Sequence, residues 1–156
     1  MGCDVSERAR TLATTWVGHA DGSTCPFADL HAVAAELMAG DDAAVELRIA
    51  ALKKVAGSHG QTAECQRDVG VPLAEGFTAF HHGNYARAAE LLFPTRLIAH
   101  RFGGSHAQRD IIDWTLAEAS IRGRQKNLAL ALAHERMALK PHSVPNREFL
   151  RRAEAL

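Results

Sequence analysis

The chain is expected to fold as an all-α solenoid of about three antiparallel helix pairs with further helices at its ends. Apolar residues recur with helical period through nearly its whole length, and the periodic stretches are broken by short stops containing glycine, asparagine or aspartate. Alanine supplies 29 of the 156 residues while aromatics make up only 6%, so the helices must pack by close approach rather than through bulky side chains. With 47% hydrophobic residues, a chain of this length can bury a core as a single domain without disulfides or metals.

Eight helices are legible. The first, about 6–17, carries Leu12 and Trp16 at a spacing of four and breaks at Asp21-Gly22-Ser23 before Pro26. The second, about 27–39, puts Phe27, Leu30, Val33, Ala34, Leu37 and Met38 on one broad stripe and stops at Gly40. Val45, Ile49, Leu52 and Val55 define the buried face of the third, about 43–56. After a polar break from Ser58 to Thr62, the fourth helix carries Leu73, Phe77 and Phe80 and ends at Gly83. Gly76 within it costs roughly 1 kcal/mol against alanine, which predicts a neighbouring helix crossing there. The fifth runs from Tyr85 towards Arg101, with a kink expected after Leu92 because Pro94 removes a backbone donor and crowds the preceding turn.

The sixth helix opens on Gly103-Gly104-Ser105-His106-Ala107-Gln108, in which Ser105 and Gln108 have the spacing of a capping box. It carries Ile111, Trp114, Ala117 and Ile121 as its apolar face and stops at Gly123. Leu128, Leu132, Ala133, Met137 and Leu139 form the face of the seventh, which ends before Pro141. In the last, about 144–156, Phe149, Leu150 and Ala153 point inward and Arg147, Glu148, Arg151, Arg152 and Glu154 outward, as suits a helix that caps a stack.

The stops at Gly40, Gly83 and Gly123 lie 43 and 40 residues apart, somewhat longer than the roughly 34 of a standard tetratricopeptide unit. They delimit repeats of about 27–57, 63–102 and 105–140. Asp29-Leu30-His31-Ala32, Phe80-His81-His82-Gly83-Asn84-Tyr85-Ala86-Arg87-Ala88, Leu91-Leu92-Phe93-Pro94 and above all Gly103-Gly104-Ser105-His106-Ala107-Gln108-Arg109-Asp110 resemble the C-terminal part of the tetratricopeptide repeat protein 38 family and its bacterial relatives. The resemblance runs from about Trp16 onward and implies a helical-repeat fold. Members of that family are much longer, with further helices before the matched region, and the resemblance implies no particular activity.

The 18 basic and 18 acidic residues balance, with a pI near 7.1, which leaves no electrostatic footprint for nucleic acid. No segment approaches a membrane span and the start lacks the pattern of a secretion signal. Met1-Gly2-Cys3-Asp4-Val5-Ser6 does match the myristoylation pattern, so lipidation at Gly2 is a side possibility. Cys3, Cys25 and Cys65 are odd in number and widely spaced, which fits a reducing cytoplasm better than a disulfide framework or zinc site. Arginine outnumbers lysine 14 to 4, a bias of GC-rich, bacterial coding sequence. No metalloprotease, phosphate-loop, dinucleotide or hydrolase motif is present, and no cofactor or metal is expected.

The densest polar cluster begins the sixth helix. His106 and Asp110, Arg109 and Asp113, and Asp110 and Trp114 are each four apart and so share neighbouring faces. One reading is a ligand site in which Arg109 holds a carboxylate or phosphate, Asp110 orients it and His106 titrates. The plainer one is capping and helix-stabilising ion pairs. His31 sits on an apolar stripe and is expected to be buried with a hydrogen-bond partner; it and the start of the sixth helix are expected to face one groove, with Phe80 nearby. The leading expectation is a binding module that presents a concave groove to a peptide, a protein partner or a small anionic ligand. Alternatives are an enzyme or enzyme subunit using His106, Asp110 and Arg109 on an acidic substrate, and a homodimer paired through exposed stripes.

Overall fold

The computed structural model describes residues 4–156, so Gly2 and Cys3, on which the lipidation pattern depends, lie outside the described residues. Among the described residues the protein is all-helical, without strands. Its helices are α1 (Ser6–Trp16), α2 (Pro26–Ala39), α3 (Asp42–Ala56), α4 (Gln61–Cys65), α5 (Val71–His81), α6 (Tyr85–Arg96), α7 (His106–Arg122), α8 (Lys126–Leu139) and α9 (Val144–Glu154). A π-turn, Gln66–Gly70, joins α4 to α5 in one continuous rod, so the eight expected helices are the eight rods observed. The fourth starts before the expected polar break has ended. None of the helices is long and apolar enough to cross a membrane.

Local chemistry explains most boundaries. Pro26, which cannot use its missing N–H anyway, opens α2. Asp41 accepts from the Ala44 N–H at 3.0 Å to cap α3, and Asn84 caps α6 through the Arg87 N–H at 3.3 Å. The capping box of α7 is complete: the Gln108 N–H donates to Ser105 Oγ at 3.3 Å and the Ser105 N–H to Gln108 Oε1 at 2.8 Å. The expected run of the fifth helix to Arg101 is corrected, because α6 ends at Arg96 and a 3-10 turn covers Ala99–Phe102. Two residues beyond Pro94, i→i+3 bonds from Leu97 to Pro94 and from Ile98 to Thr95 tighten the chain out of the α-helix.

Consecutive helices in the middle of the chain are joined by turns of two or three residues, at Gly40–Asp41, His82–Asn84 and Gly123–Gln125. Packing runs along the chain: α1 lies on α2, α2 on α3 and α5, α5 on α6 and α7, α6 on α7, and α7 and α8 on α9. The main core joins Leu30, Val33, Leu52, Leu73, Leu92 and Leu116, and a smaller one gathers Ala117, Ala129, Phe149 and Ala153 at the C-terminal end. A Cβ on Gly76 would stand 2.8 Å from Leu92 Cδ2 and 3.0 Å from its Cγ, so α6 crosses α5 at the glycine, as its position mid-helix implies.

Several expected faces are turned. Leu12 is exposed and only Ala9 is fully buried on α1. Met38 is also exposed, whereas Asp29 and Glu36 are buried, because α1, α3 and α5 pack around α2 and cover the sides that carry these two carboxylates. On α7 the inward residues are Ile112, Leu116 and Ala119 with Ala117 and Ile121, while Ile111 and Trp114 lie at the surface. Leu139, expected inside, is also exposed.

Asp29 and Glu36 find partners inside the N-terminal half, whereas the buried Trp16 Nε1 and Gln66 Oε1 make no hydrogen bond. Gln66 Nε2 donates to Asp29 Oδ2 at 2.6 Å and to the Gly22 carbonyl at 3.1 Å, and the Gly22 N–H donates to Asp29 Oδ1 at 3.0 Å. The Gln66 side chain folds back over Gly70, where a Cβ would lie 1.7 Å from Gln66 Oε1. Arg48 on α3 donates through Nε to both oxygens of Glu36 at 2.8 and 2.9 Å and through Nη1 to the His19 carbonyl at 2.8 Å. One guanidinium thereby ties α2, α3 and the connection from α1 together.

Gly76→Val should destabilise the fold by about 1–3 kcal/mol, because the added methyls meet the fully buried Leu92. Urea denaturation measures this, and an unchanged midpoint would show that α6 can move aside. Burial raises the Asp29 carboxyl above its ordinary value of 3.8, against the opposing hydrogen bonds from Gln66 and Gly22 and the charge of Arg48. The folded protein therefore holds this proton more tightly than the unfolded chain. The resulting contribution to stability is complete below 3.8 and is lost as pH rises through the higher folded value. Relative to Asp29→Asn, the wild type should lose stability between acid and neutral pH in urea melts, and a difference that is constant with pH would refute the assignment.

Candidate functional site

Two hollows adjoin at the start of α7. The first has a cavity volume of about 320 Å³ and is walled by Leu30, His31 and Ala34 of α2, Phe77 of α5, and Ala107, Gln108 and Ile111 of α7. Its lining is predominantly apolar because α2, α5 and α7 turn small or aliphatic residues towards one another, with His31 and Gln108 as its polar groups. Gln108 is held by its cap bond to Ser105. His31 is exposed rather than buried, which corrects the expectation from the stripe. Its Nδ1 lies 2.7 Å from the Phe27 carbonyl and its ring 4.3 Å from the Phe27 ring. The carbonyl can only accept, so Nδ1 carries the proton and Nε2 is left for a ligand.

The second hollow, about 660 Å³, lies across the α7 ridge and reaches the end of α6, the 3-10 turn and the end of α8. His106, Arg109 and Asp110 line it, with His100, Leu97, Leu139 and Lys140 from the other elements. Ala107 belongs to the rim of both hollows.

The charges on this second surface pair between helices, which corrects the expected ion pairs along the sixth helix. Asp113 pairs with Arg96 rather than Arg109, and Arg96 Nη2 also reaches Glu135 at 2.6 Å. Asp110 receives a two-pronged contact from Arg136, at 2.9 and 3.1 Å, instead of orienting His106. Arg136 is itself buried and fixed by Asn146, whose Oδ1 accepts from Nε at 3.1 Å and whose Nδ2 donates to the Arg136 carbonyl at 2.9 Å. Arg109 donates to the Gly104 carbonyl at 2.7 Å and makes no ion pair among the described residues.

Phe80 and Trp114 line neither hollow. Phe80 meets Tyr85 edge-on at 5.6 Å, and the Arg122 guanidinium sits 5.4 Å from its ring. Trp114 meets Phe149 at 4.9 Å, with Arg136 5.5 Å away, so it belongs to the support of α9. The expected single wall is thus divided: His31 faces the residues after the cap, whereas His106, Arg109 and Asp110 face away from it. Helical geometry is the reason, since positions 107, 108 and 111 look towards α2 and α5 while 106, 109, 110 and 113 look towards α6 and α8. Phe77, Leu97, His100, Leu139 and Lys140 were not foreseen, and for the last four no sequence signal marks them, because they come from turns and helix ends brought in by packing.

Among the described residues no group of three or more His, Cys, Asp or Glu side chains could hold a metal ion. Cys25 and Cys65 are free; the Cys65 thiol donates towards the Arg101 carbonyl at 3.2 Å, and burial raises its pKa above the usual thiol value. No family model matches this chain, and no solved structure matches it.

Arg136→Ala should cost about 2–3 kcal/mol, somewhat less than removal of one member of a fully buried pair because Asp110 is partly exposed. Arg136→Lys should recover only part of the loss, since an ammonium cannot span both Asp110 oxygens and Asn146 at once. Thermal or urea melts distinguish the variants, and equal stability of wild type and Arg136→Ala would refute this role.

Proposed function

We propose that the chain is a recognition module, a short stack of helix pairs in the manner of a tetratricopeptide solenoid, that receives a peptide segment of a protein partner in the hollow between α2, α5 and α7. The observation that carries this reading is the hollow itself, open to solvent and walled by apolar side chains from three helices that are far apart in sequence. A pocket of a few hundred Å³ with few polar groups is the kind that anchors one apolar side chain. The order of contacts supports the stacked arrangement, because α2 meets α5 and α5 meets α7, while α3 and α6 each pack on the next first helix. The resemblance to the tetratricopeptide repeat protein 38 family points the same way. A cytoplasmic setting is part of the proposal and is supported by the two free thiols. An enzyme built on His106, Asp110 and Arg109 has less behind it, since Asp110 is engaged by Arg136 and leaves His106 without an orienting carboxylate.

Peptides selected on the wild-type protein from a random display library test the reading. Ile111 is 46% exposed, so Ile111→Glu should preserve the helical circular dichroism spectrum while weakening those peptides about tenfold or more, by placing a charge in the apolar wall. Undiminished binding to the variant would place the peptide elsewhere.

A further inference from the structure

We propose that the basic surface across the α7 ridge seats an acidic stretch of the same bound segment, so that one partner chain puts an apolar side chain into the first hollow and carboxylates against Arg109 and Lys140. This rests on the recognition reading above and gives the partner a chemistry.

The charges select the ligand. Arg96 is offset by Asp113 and Glu135, and Asp110 is offset by Arg136. The cations of this hollow that make no ion pair among the described residues are Arg109 and Lys140, with the imidazoles of His100 and His106 beside them. Arg96, Arg109, Arg136 and Lys140 face Asp110, Asp113 and Glu135, so with the histidines neutral the surface carries one net positive charge, while the whole chain is neutral. The Gly104 carbonyl holds one Arg109 N–H at 2.7 Å and fixes the guanidinium with its other donors available, which suits a planar carboxylate.

The flanking residues favour a peptide over a simple anion. Leu97 and Leu139, which line this hollow from the ends of α6 and α8, are 67% and 75% exposed. An inorganic anion would leave both in water, whereas a peptide carrying aliphatic groups between its acids would cover them. Ala107 then makes the two hollows one path. It lines both of them with a side chain of a single methyl group, and a strand crossing a helix about 10 Å wide needs roughly three extended residues. The partner segment should therefore carry an acidic residue about three positions from its apolar anchor, in a run with further acids.

The test is the composition and behaviour of the peptides selected above. Enrichment for Asp and Glu near one Leu, Ile, Phe or Met, with affinity that falls about tenfold in Arg109→Ala/Lys140→Ala and weakens with added salt, supports the proposal. Ala107→Trp should impair the same peptides by raising the ridge while leaving the charges in place. Peptides that lose affinity in Ile111→Glu but show no acidic enrichment, or are indifferent to Arg109→Ala/Lys140→Ala, overturn this inference and leave the hollow reading intact. Selection of no peptide at all refutes both. If the wild type instead self-associates in sedimentation and Arg109→Ala/Lys140→Ala is monomeric, a second copy is the occupant and the acidic-partner proposal is wrong.

Discussion

Asp29 and Gln66 meet at 2.6 Å in the interior, and much of the route of the N-terminal half follows from what leaving either unpaired would cost. A buried carboxylate without donors is among the most unfavourable groups a core can hold. The Gln66 amide and the Gly22 N–H supply those donors, and each comes from a different part of the chain. To deliver the amide, the rod formed by α4 and α5 has a π-turn against α2, and Gly70 leaves the space into which the Gln66 side chain folds. To deliver the N–H, the connection after α1 is drawn back over α2, where Arg48 and Glu36 secure it. With α2 held between them, Leu30 and Ala34 are presented to Phe77, and the first hollow exists.

The C-terminal half is organised differently. Arginines flank a small, mostly alanine core there. Arg136 joins α7, α8 and α9 through Asp110 and Asn146 and faces the rings of Trp114 and Phe149. Glu118 receives Arg122 from its own helix and Arg152 from α9; burial opposes its ionisation, yet these two arginines outweigh it and hold the carboxyl below the usual range. An alanine-rich core leaves little apolar area with which to fasten a terminal helix, and two-pronged charge contacts supply geometry that small side chains cannot. The same pairing consumes nearly all the acidic groups around the α7 ridge, which is why its other cations are left facing solvent. Structural economy at α8 and α9 and positive charge at the candidate site are thus one arrangement.

In the proposed recognition role α7 is the central element, because it walls both hollows. Its first turns are rigid because the Ser105–Gln108 capping box satisfies the end of the helix, and its two sides look into different environments. One side closes an apolar slot with α2 and α5, and the other overlooks a charged trough with α6 and α8. Ala107 lines both, and its small side chain suits the proposed ligand that would touch the two together. A histidine at position 31 whose Nδ1 is tied to its own helix adds one directed polar atom to the apolar side.

Features determined within a few residues were legible in the sequence by itself: the helical stretches, the Ser105 cap, the stop at Gly83, and the close crossing announced by Gly76. Each depends on backbone hydrogen bonds or on space around a single residue, so local chemistry suffices. The end of α6 was misplaced because Pro94 acts through the turns that follow it, and the apolar face of α7 was misassigned because a helix packed on several sides has no unique inward stripe. Charge pairing could be decided only by the tertiary structure. Asp110 had a histidine at the right spacing on its own helix, yet it pairs with Arg136, 26 residues away. A guanidinium on a long side chain can reach any carboxylate that packing brings near, and spacing along one helix does not say which that will be.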